Sequence, residues 1–426
     1  MVYRQFGKRL LAAASVTAVA LALGSCGASN TVDFLYVTSN LQNPGQINVY
    51  KVDSLSGALV QIPDSPYPSG GRNPVYEVSS PNGKNLYVAN HDDNTIVRFA
   101  IGTDGKLYPL QTVNTPGTEP VAMALNASGT ALYVLDYYAP AAPGQPSYTD
   151  LNPGPGAVVV FPLDSAGNLG SPLTAGAADY WLVQCFPSNL ALTPNGNFLY
   201  VTNTNAVVVT TSPPVTGTVP ILPASCPSSG TVSAFTVSSS ASGGSQSVSG
   251  LTAVPSGPLS TGAGSEPTGI VADPSNGSVY VADSGLNKLD AFTIRPDGSL
   301  SLATSVPSGT MPMGATIVKN AKSTNTYLYV TNYTDGSISS YVLNSGVPTF
   351  ISTTSAGTSG PLCVIADPNL NHFLYTADYI GGRVGGAELD PSTGKLIINE
   401  GSPYGSAGQP TCVAAIPHAG NPNGLQ

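Results

Sequence analysis

From residue 32 onward apolar and polar positions alternate with a period of two, and no stretch shows the 3.6-residue spacing of an amphipathic helix. The chain therefore reads as all-β. An apolar-Tyr-apolar segment or a close variant recurs as Leu35-Tyr36-Val37, Leu86-Tyr87-Val88, Leu132-Tyr133-Val134, Leu199-Tyr200-Val201, Val279-Tyr280-Val281, Leu328-Tyr329-Val330 and Leu374-Tyr375-Thr376, with Tyr-to-Tyr steps of 51, 46, 67, 80, 49 and 46 residues. Each copy has the same punctuation. An alternating apolar segment and a turn precede it, as in Pro120 to Leu125 with Ser128-Gly129. A polar loop, a second alternating strand such as Thr95 to Ile101, a turn at Asp104-Gly105-Lys106 and a last strand from Leu107 follow it. That is four strands per unit, joined by tight turns.

A period near 45–50 residues built from four strands is the signature of propeller blades. The ends of the chain complete one another. The first unit starts directly at Phe34-Leu35-Tyr36 and lacks an inner strand, whereas Pro410 to Pro417 repeats the inner-strand pattern of Pro361 to Pro368 and stands alone. The expected architecture is a seven-bladed β-propeller of four-stranded antiparallel blades, its ring closed by the C-terminal strand in the first blade. The expected boundaries are residues 1–25 for a leader, 26–31 for a tether, 32–418 for the propeller and 419–426 for a flexible tail.

Composition narrows the classes. Only 9% of the 426 residues are charged, against 47 Gly and 38 Pro, so helical bundles and coiled coils are excluded. The net charge of −9 and the lack of any Lys/Arg-rich run argue against a nucleic-acid partner. Arg4, Lys8 and Arg9 followed by the uncharged run Leu10 to Leu23 form a signal-type segment, too short for a comfortable membrane span. It ends in Leu23-Gly24-Ser25-Cys26, which resembles the bacterial lipobox. That resemblance implies lipidation of Cys26, a membrane as partner, and a place in the bacterial cell envelope, at the outer membrane, the cell surface or the periplasm.

Four cysteines remain, compatible with two disulfides in an exported chain. Cys185 precedes the fourth inner strand, and Cys226 ends that blade's long loop. Placing both in one sheet predicts a Cys185–Cys226 bond. Cys363 and Cys412 occupy matching inner-strand positions in neighbouring blades across the ring closure, which predicts Cys363–Cys412. No C-x-x-C occurs and there are three His, so no metal site and no cofactor are expected. The Ser/Gly-rich stretch 238–265 reads as a flexible excursion between strands.

The segments Tyr36-Val37-Thr38-Ser39-Asn40, Tyr200-Val201-Thr202-Asn203 and Tyr329-Val330-Thr331-Asn332 resemble the YVTN-repeat branch of the lactonase-like seven-bladed β-propellers, over residues 32–418. The motif is made of strand-core and turn residues, so its Tyr and Val are packing residues first. The resemblance implies lactone opening or the related cycloisomerisation, with His or Glu activating water and Arg holding an anionic substrate. The family's Pro-Arg-His lead into an inner strand is absent; the corresponding positions read Glu119-Pro120, Glu266-Pro267, Met311-Pro312 and Gly360-Pro361.

Strand order places the loops after each motif on one face, the top, together with the connections into the next blade. Arg72, His91, Asp92, Asp93, Glu119, Asp136, Tyr137, Tyr138, Glu266, Asp283, Tyr333, Asp335, Asp378 and Tyr379 fall there, as do the insertions 139–155, with Tyr148 and Asp150, and 204–229. Binding function concentrates on such loops of a rigid scaffold. Two functions follow. One is a monomeric binding or interaction scaffold for carbohydrate or peptide, using Asp136 with the stacking faces of Tyr137, Tyr138, Tyr333 and Tyr379. The alternative is a lactonase-type hydrolase related to 6-phosphogluconolactonase, with His91, Glu119, Glu266 and Arg72 as candidates. Arg72 and Arg383 are the only cations near these loops, so a phosphate would meet mostly acids.

Overall fold

In the computed structural model the described residues are 30–204, 226–242, 245–319, 324–357 and 359–418. Their strands form seven antiparallel sheets, one per blade, and the inner strands of successive blades lie side by side around a central axis. Within each blade the inner strand comes first, followed by the Tyr-bearing strand, as in Pro74–Ser79 beside Asn85–Asn90. Blade 1 is the exception in chain order. Its inner strand is the C-terminal Pro410–Pro417, paired with Thr31–Ser39 so that Phe34 faces Ile416 and Tyr36 faces Ala414. The ring is therefore closed by joining both ends of the chain in one sheet.

Stacking blades against one another buries both faces of the Tyr-bearing strands. In blade 1, Leu35 and Val37 pack against Phe373 and Tyr375 of blade 7, while Phe34 and Tyr36 pack against Leu86 and Phe99 of blade 2. All seven motif tyrosines are fully buried. Six of them also carry a bond between blades: the hydroxyls of Tyr36, Tyr87, Tyr200, Tyr280, Tyr329 and Tyr375 donate to the carbonyls of Gly105, Gly167, Gly298, Gly346, Gly394 and Gly57, 2.7–3.1 Å away. Each of these glycines turns the outer hairpin of the following blade at positive φ, a conformation that favours Gly over any residue with a Cβ. The last bond runs from blade 7 to blade 1 and ties the closure. Among the described residues the Tyr133 hydroxyl has no partner. Its neighbour, blade 4, replaces the short outer hairpin by the long pair Gly230–Ser242 and Ser245–Ala253.

That pair corrects the expectation of an excursion at 238–265: Gly230–Ser242 and Ser245–Ala253 are paired blade 4 strands, with Leu259–Gly262 returning to pair with Gly230–Ser242. Ser and Thr alternating with Val237, Val248 and Leu251 form a strand as readily as a loop once the apolar set has a neighbouring blade to cover it. Both disulfides are present, with Cα–Cα distances of 5.3 Å for Cys185–Cys226 and 5.1 Å for Cys363–Cys412. One expectation about the first pair changes. Cys185 ends Trp181–Cys185, the outermost strand of blade 3, where it pairs with Pro155, so the bond joins two blades and does not lie within one sheet. Two disulfides fit an oxidising compartment such as the periplasm or envelope. The signal segment and Cys26 lie outside the described residues, as does the tail 419–426.

Candidate functional site

The repeat builds the top face in layers. The third residue after each motif tyrosine, Ser39, Asn90, Asp136, Asn203, Asp283, Asn332 or Asp378, is fully buried beneath that face. In several blades its side chain fastens the loop entering the blade. The Asp136 carboxylate accepts from the Gly117 amide at 2.9 Å and from the Thr115 hydroxyl, Asp283 from the Glu266 amide at 2.9 Å, and Asn332 from the Gly309 amide at 3.0 Å. Asp136 thus anchors a loop from below the mouth, and burial pushes its carboxyl up to about 8. Burial likewise raises Asp378 to about 8.

The fastened loops each present one residue just before the inner-strand proline. Asn73, Glu119, Phe186 and Met311 hold φ of 51, 58, 57 and 58° there. Left-handed backbone is costly for a residue with a Cβ, and a following proline disfavours the α region further. Asparagine side chains help to hold it: the Asn94 carbonyl oxygen accepts from the Glu119 amide at 2.7 Å, and Asn287 accepts from Met311 at 2.8 Å. Strain kept in this way is a mark of functional positions.

Blades 2 and 3 turn this presentation into a cluster. The single helical turn among the described residues, His91–Asp93, sits on top of blade 2. His91 Nδ1 lies 2.8 Å from Asp92 Oδ1, and Nε2 lies 3.8 Å from Glu119 Oε2. Asn73 donates to the same Asp92 oxygen at 3.0 Å and, with His91, holds Asp92 below the usual carboxylate range. Burial raises Glu119 against the pull of His91, and Asp150 and Asp92 add to the rise. Arg72 is engaged, its Nε 2.6 Å from Asp93 Oδ1 and a terminal nitrogen 2.9 Å from the Asp92 carbonyl. The Tyr138 hydroxyl donates to Asp150 at 2.9 Å, and the Tyr137 ring lies edge-on between Tyr138 and Phe186 at 4.8 and 6.1 Å. Tyr138 is fully buried and Tyr137 largely so, its hydroxyl pushed up to about 12 by burial and by Asp150.

The structure thus brings together Arg72, His91, Glu119, Tyr137 and Tyr138. The other candidates lie elsewhere on the ring. Glu266 meets Ser284 within blade 5, and Tyr333 and Tyr379 form a separate arc on blades 6 and 7 beside Gly360 and Ile380. Asp335 accepts from the Thr310 amide at 2.6 Å.

Beneath the mouth a channel of about 590 Å³ is lined by all seven inner strands. The residues following the prolines form its upper ring: Val75, Val121, Ser188, Thr268, Met313, Leu362 and Thr411. Two positions deeper stand Glu77, Met123, Leu190, Ile270, Ala315, Val364 and Val413. Glu77 is missing from the sequence expectations, and aligning the inner strands exposes it as the one ionisable side chain at a position apolar in every other blade. It is buried; Oε1 accepts from the Thr38 amide at 3.2 Å and Oε2 has no partner among the described residues. Burial holds its carboxyl well above the usual range.

Residues 28–138, spanning blades 1 and 2 and the first half of blade 3, match the family described as Lactonase, 7-bladed beta-propeller. The fold is that of the lactonase-type seven-bladed propellers. Solved structures extend the likeness around the ring. A Pseudomonas aeruginosa periplasmic gluconolactonase is 17% identical with a TM-score of 0.65, covering 91% of this chain and 99% of its own. A Bacteroides fragilis protein described as a candidate 6-phosphogluconolactonase is 18% identical with a TM-score of 0.64, covering 91% and 99%. A Lactobacillus plantarum protein is 16% identical with a TM-score of 0.65, covering 91% and 99%. No curated protein matches the sequence. At these identities the likeness to the lactonase-type structures is one of fold.

Proposed function

We propose that this protein is an exported hydrolase that opens uncharged lactones at its top mouth. The observation that carries this reading is His91 held between Asp92 at 2.8 Å and Glu119 at 3.8 Å on the top face. With Nδ1–H donated to Asp92, Nε2 is left as the acceptor. The gap to Glu119 is too long for a direct bond and suits a bridging water. That water attacks the lactone carbonyl carbon while His91 Nε2 takes its proton. The tetrahedral oxyanion then collapses, the ring C–O bond breaks, and the proton passes to the departing alkoxide. Arg72 is already paired with Asp93, and Asp92, Glu119 and Asp150 crowd the mouth, so a phosphorylated lactone is disfavoured relative to a neutral one. Of the neighbours' printed activities, gluconolactone opening fits this charge pattern better than 6-phosphogluconolactone opening.

The arc of Tyr333, Tyr379, Met311 and Ile380 favours a second reading, a scaffold that binds carbohydrate or peptide. In either case the leader and Cys26 support a lipid-anchored protein of the envelope. The deciding assay is titration of acid released from a panel of neutral and phosphorylated lactones. His91→Ala should lower kcat by a factor of about 10²–10⁴, the usual worth of a positioned base. Absence of turnover on every lactone, with retained binding of a glycan or peptide, would establish the scaffold. Metabolic labelling with a palmitate analogue should mark the wild type and spare Cys26→Ala.

A further inference from the structure

The channel below the mouth is not needed to hold a small polar lactone, yet one strand, Thr118–Leu125, carries both Glu119 and part of the channel wall. Glu119 stands two residues above Val121, a rise of about 7 Å on an extended chain. Its volume of about 590 Å³ lies within the range of small-molecule sites. The side chains of its two rings are mostly apolar. The three hydroxyls of the upper ring are spent on the next blade: Ser188 donates to the Pro267 carbonyl, Thr268 to that of Pro312, and Thr411 to that of Pro74, each at 2.8 Å. The Glu77 carboxyl is turned to the Thr38 amide and closed to solvent. Among the side chains of the two rings a polyol would find no free donor.

We infer that the channel is a binding site for a hydrocarbon chain, and that the lactone opened at the mouth carries one. The second half of this inference rests on the proposed function. The lactone ring stays at His91 and Glu119, and its alkyl substituent runs down past the two rings of inner-strand residues.

The test is a homologous series of γ-lactones with unbranched alkyl substituents of one to eight carbons, assayed with the full-length protein. Each added methylene should lower KM about three- to four-fold until the channel is filled, with kcat little changed. Ala315→Phe, which narrows the channel away from the mouth, should abolish the chain-length gain. Calorimetric binding of 1-decanol to the His91→Ala protein supplies a readout that needs no catalysis and no folded Ala315 variant. Turnover with a KM independent of chain length would overturn the inference and leave the proposed function standing. Decanol binding without turnover of any lactone would sustain the hydrocarbon site and overturn the proposed function. Failure of decanol to bind would overturn the site itself.

Discussion

Replacing Asp33 by Asn should make the protein more stable, and by an amount that grows with pH. Asp33 lies at the blade 7–blade 1 closure, fully buried on Thr31–Ser39, and neither carboxyl oxygen has a hydrogen-bond partner among the described residues. Burial, and then the neighbouring Asp367, push its carboxyl up to about 9 from the usual 3.8. Asp367 is held in place by the amides of Leu370, His372 and Phe373, from which it accepts at 2.6 Å each. Between about pH 4 and pH 9 the folded protein therefore keeps a proton that the unfolded chain releases. Stability is fully present below pH 4 and declines as pH rises, levelling off above 9. Neutral pH is about three pH units above the unfolded value, and each unit is worth about 1.36 kcal/mol, so the decline reaches about 4 kcal/mol at pH 7. An Asn side chain does not ionise and can donate its N–H toward Asp367. Denaturant unfolding of wild type and Asp33→Asn at pH 4, 6 and 8 reads the difference directly. Glu77, Asp136 and Asp378 titrate in both proteins and cancel. Equal stability differences at all three pH values would refute the argument.

Four further outcomes follow from the packing. Tyr329→Phe removes a 3.0 Å bond to the Gly394 carbonyl and should cost about 1 kcal/mol, whereas Tyr133→Phe should cost nothing, a contrast visible in paired denaturation curves. Glu77→Met supplies the residue type that Met123 provides in blade 3, and should raise the midpoint more at pH 8 than at pH 4, because the glutamate resists ionisation in the fold. Deleting residues 409–426 removes the inner strand of blade 1 and should lower the unfolding midpoint sharply. Cys412→Ser alone, opening a cross-link over 49 residues, should cost about 4 kcal/mol in the chain-entropy treatment, measured against an untreated oxidised sample.

Period-two alternation, seven tyrosine segments, an inner strand missing from the first unit and an orphan one at the C-terminus were enough to read the propeller, its blade count and its seam. Those features are local or count-based, and each strand carries them within itself. The two cysteine pairings were legible for the same reason, since repeat position fixes which strands neighbour one another. Sheet membership of Cys185 was not, because a residue between two units can close the outer edge of the earlier one. Nor could polarity along the chain separate Asp136, Asp283 and Asp378, buried beneath the top face, from Asp92 and Glu119, which reach the mouth. All five stand near a turn, and only the ring decides which carboxylates lie under a neighbouring loop and which face the axis. The left-handed backbone before the prolines and the lone Glu77 among apolar equivalents likewise acquire meaning only when seven inner strands are set around one channel. Strand identity comes from the side chains of a single segment, whereas a site is made by segments that no sequence distance brings together.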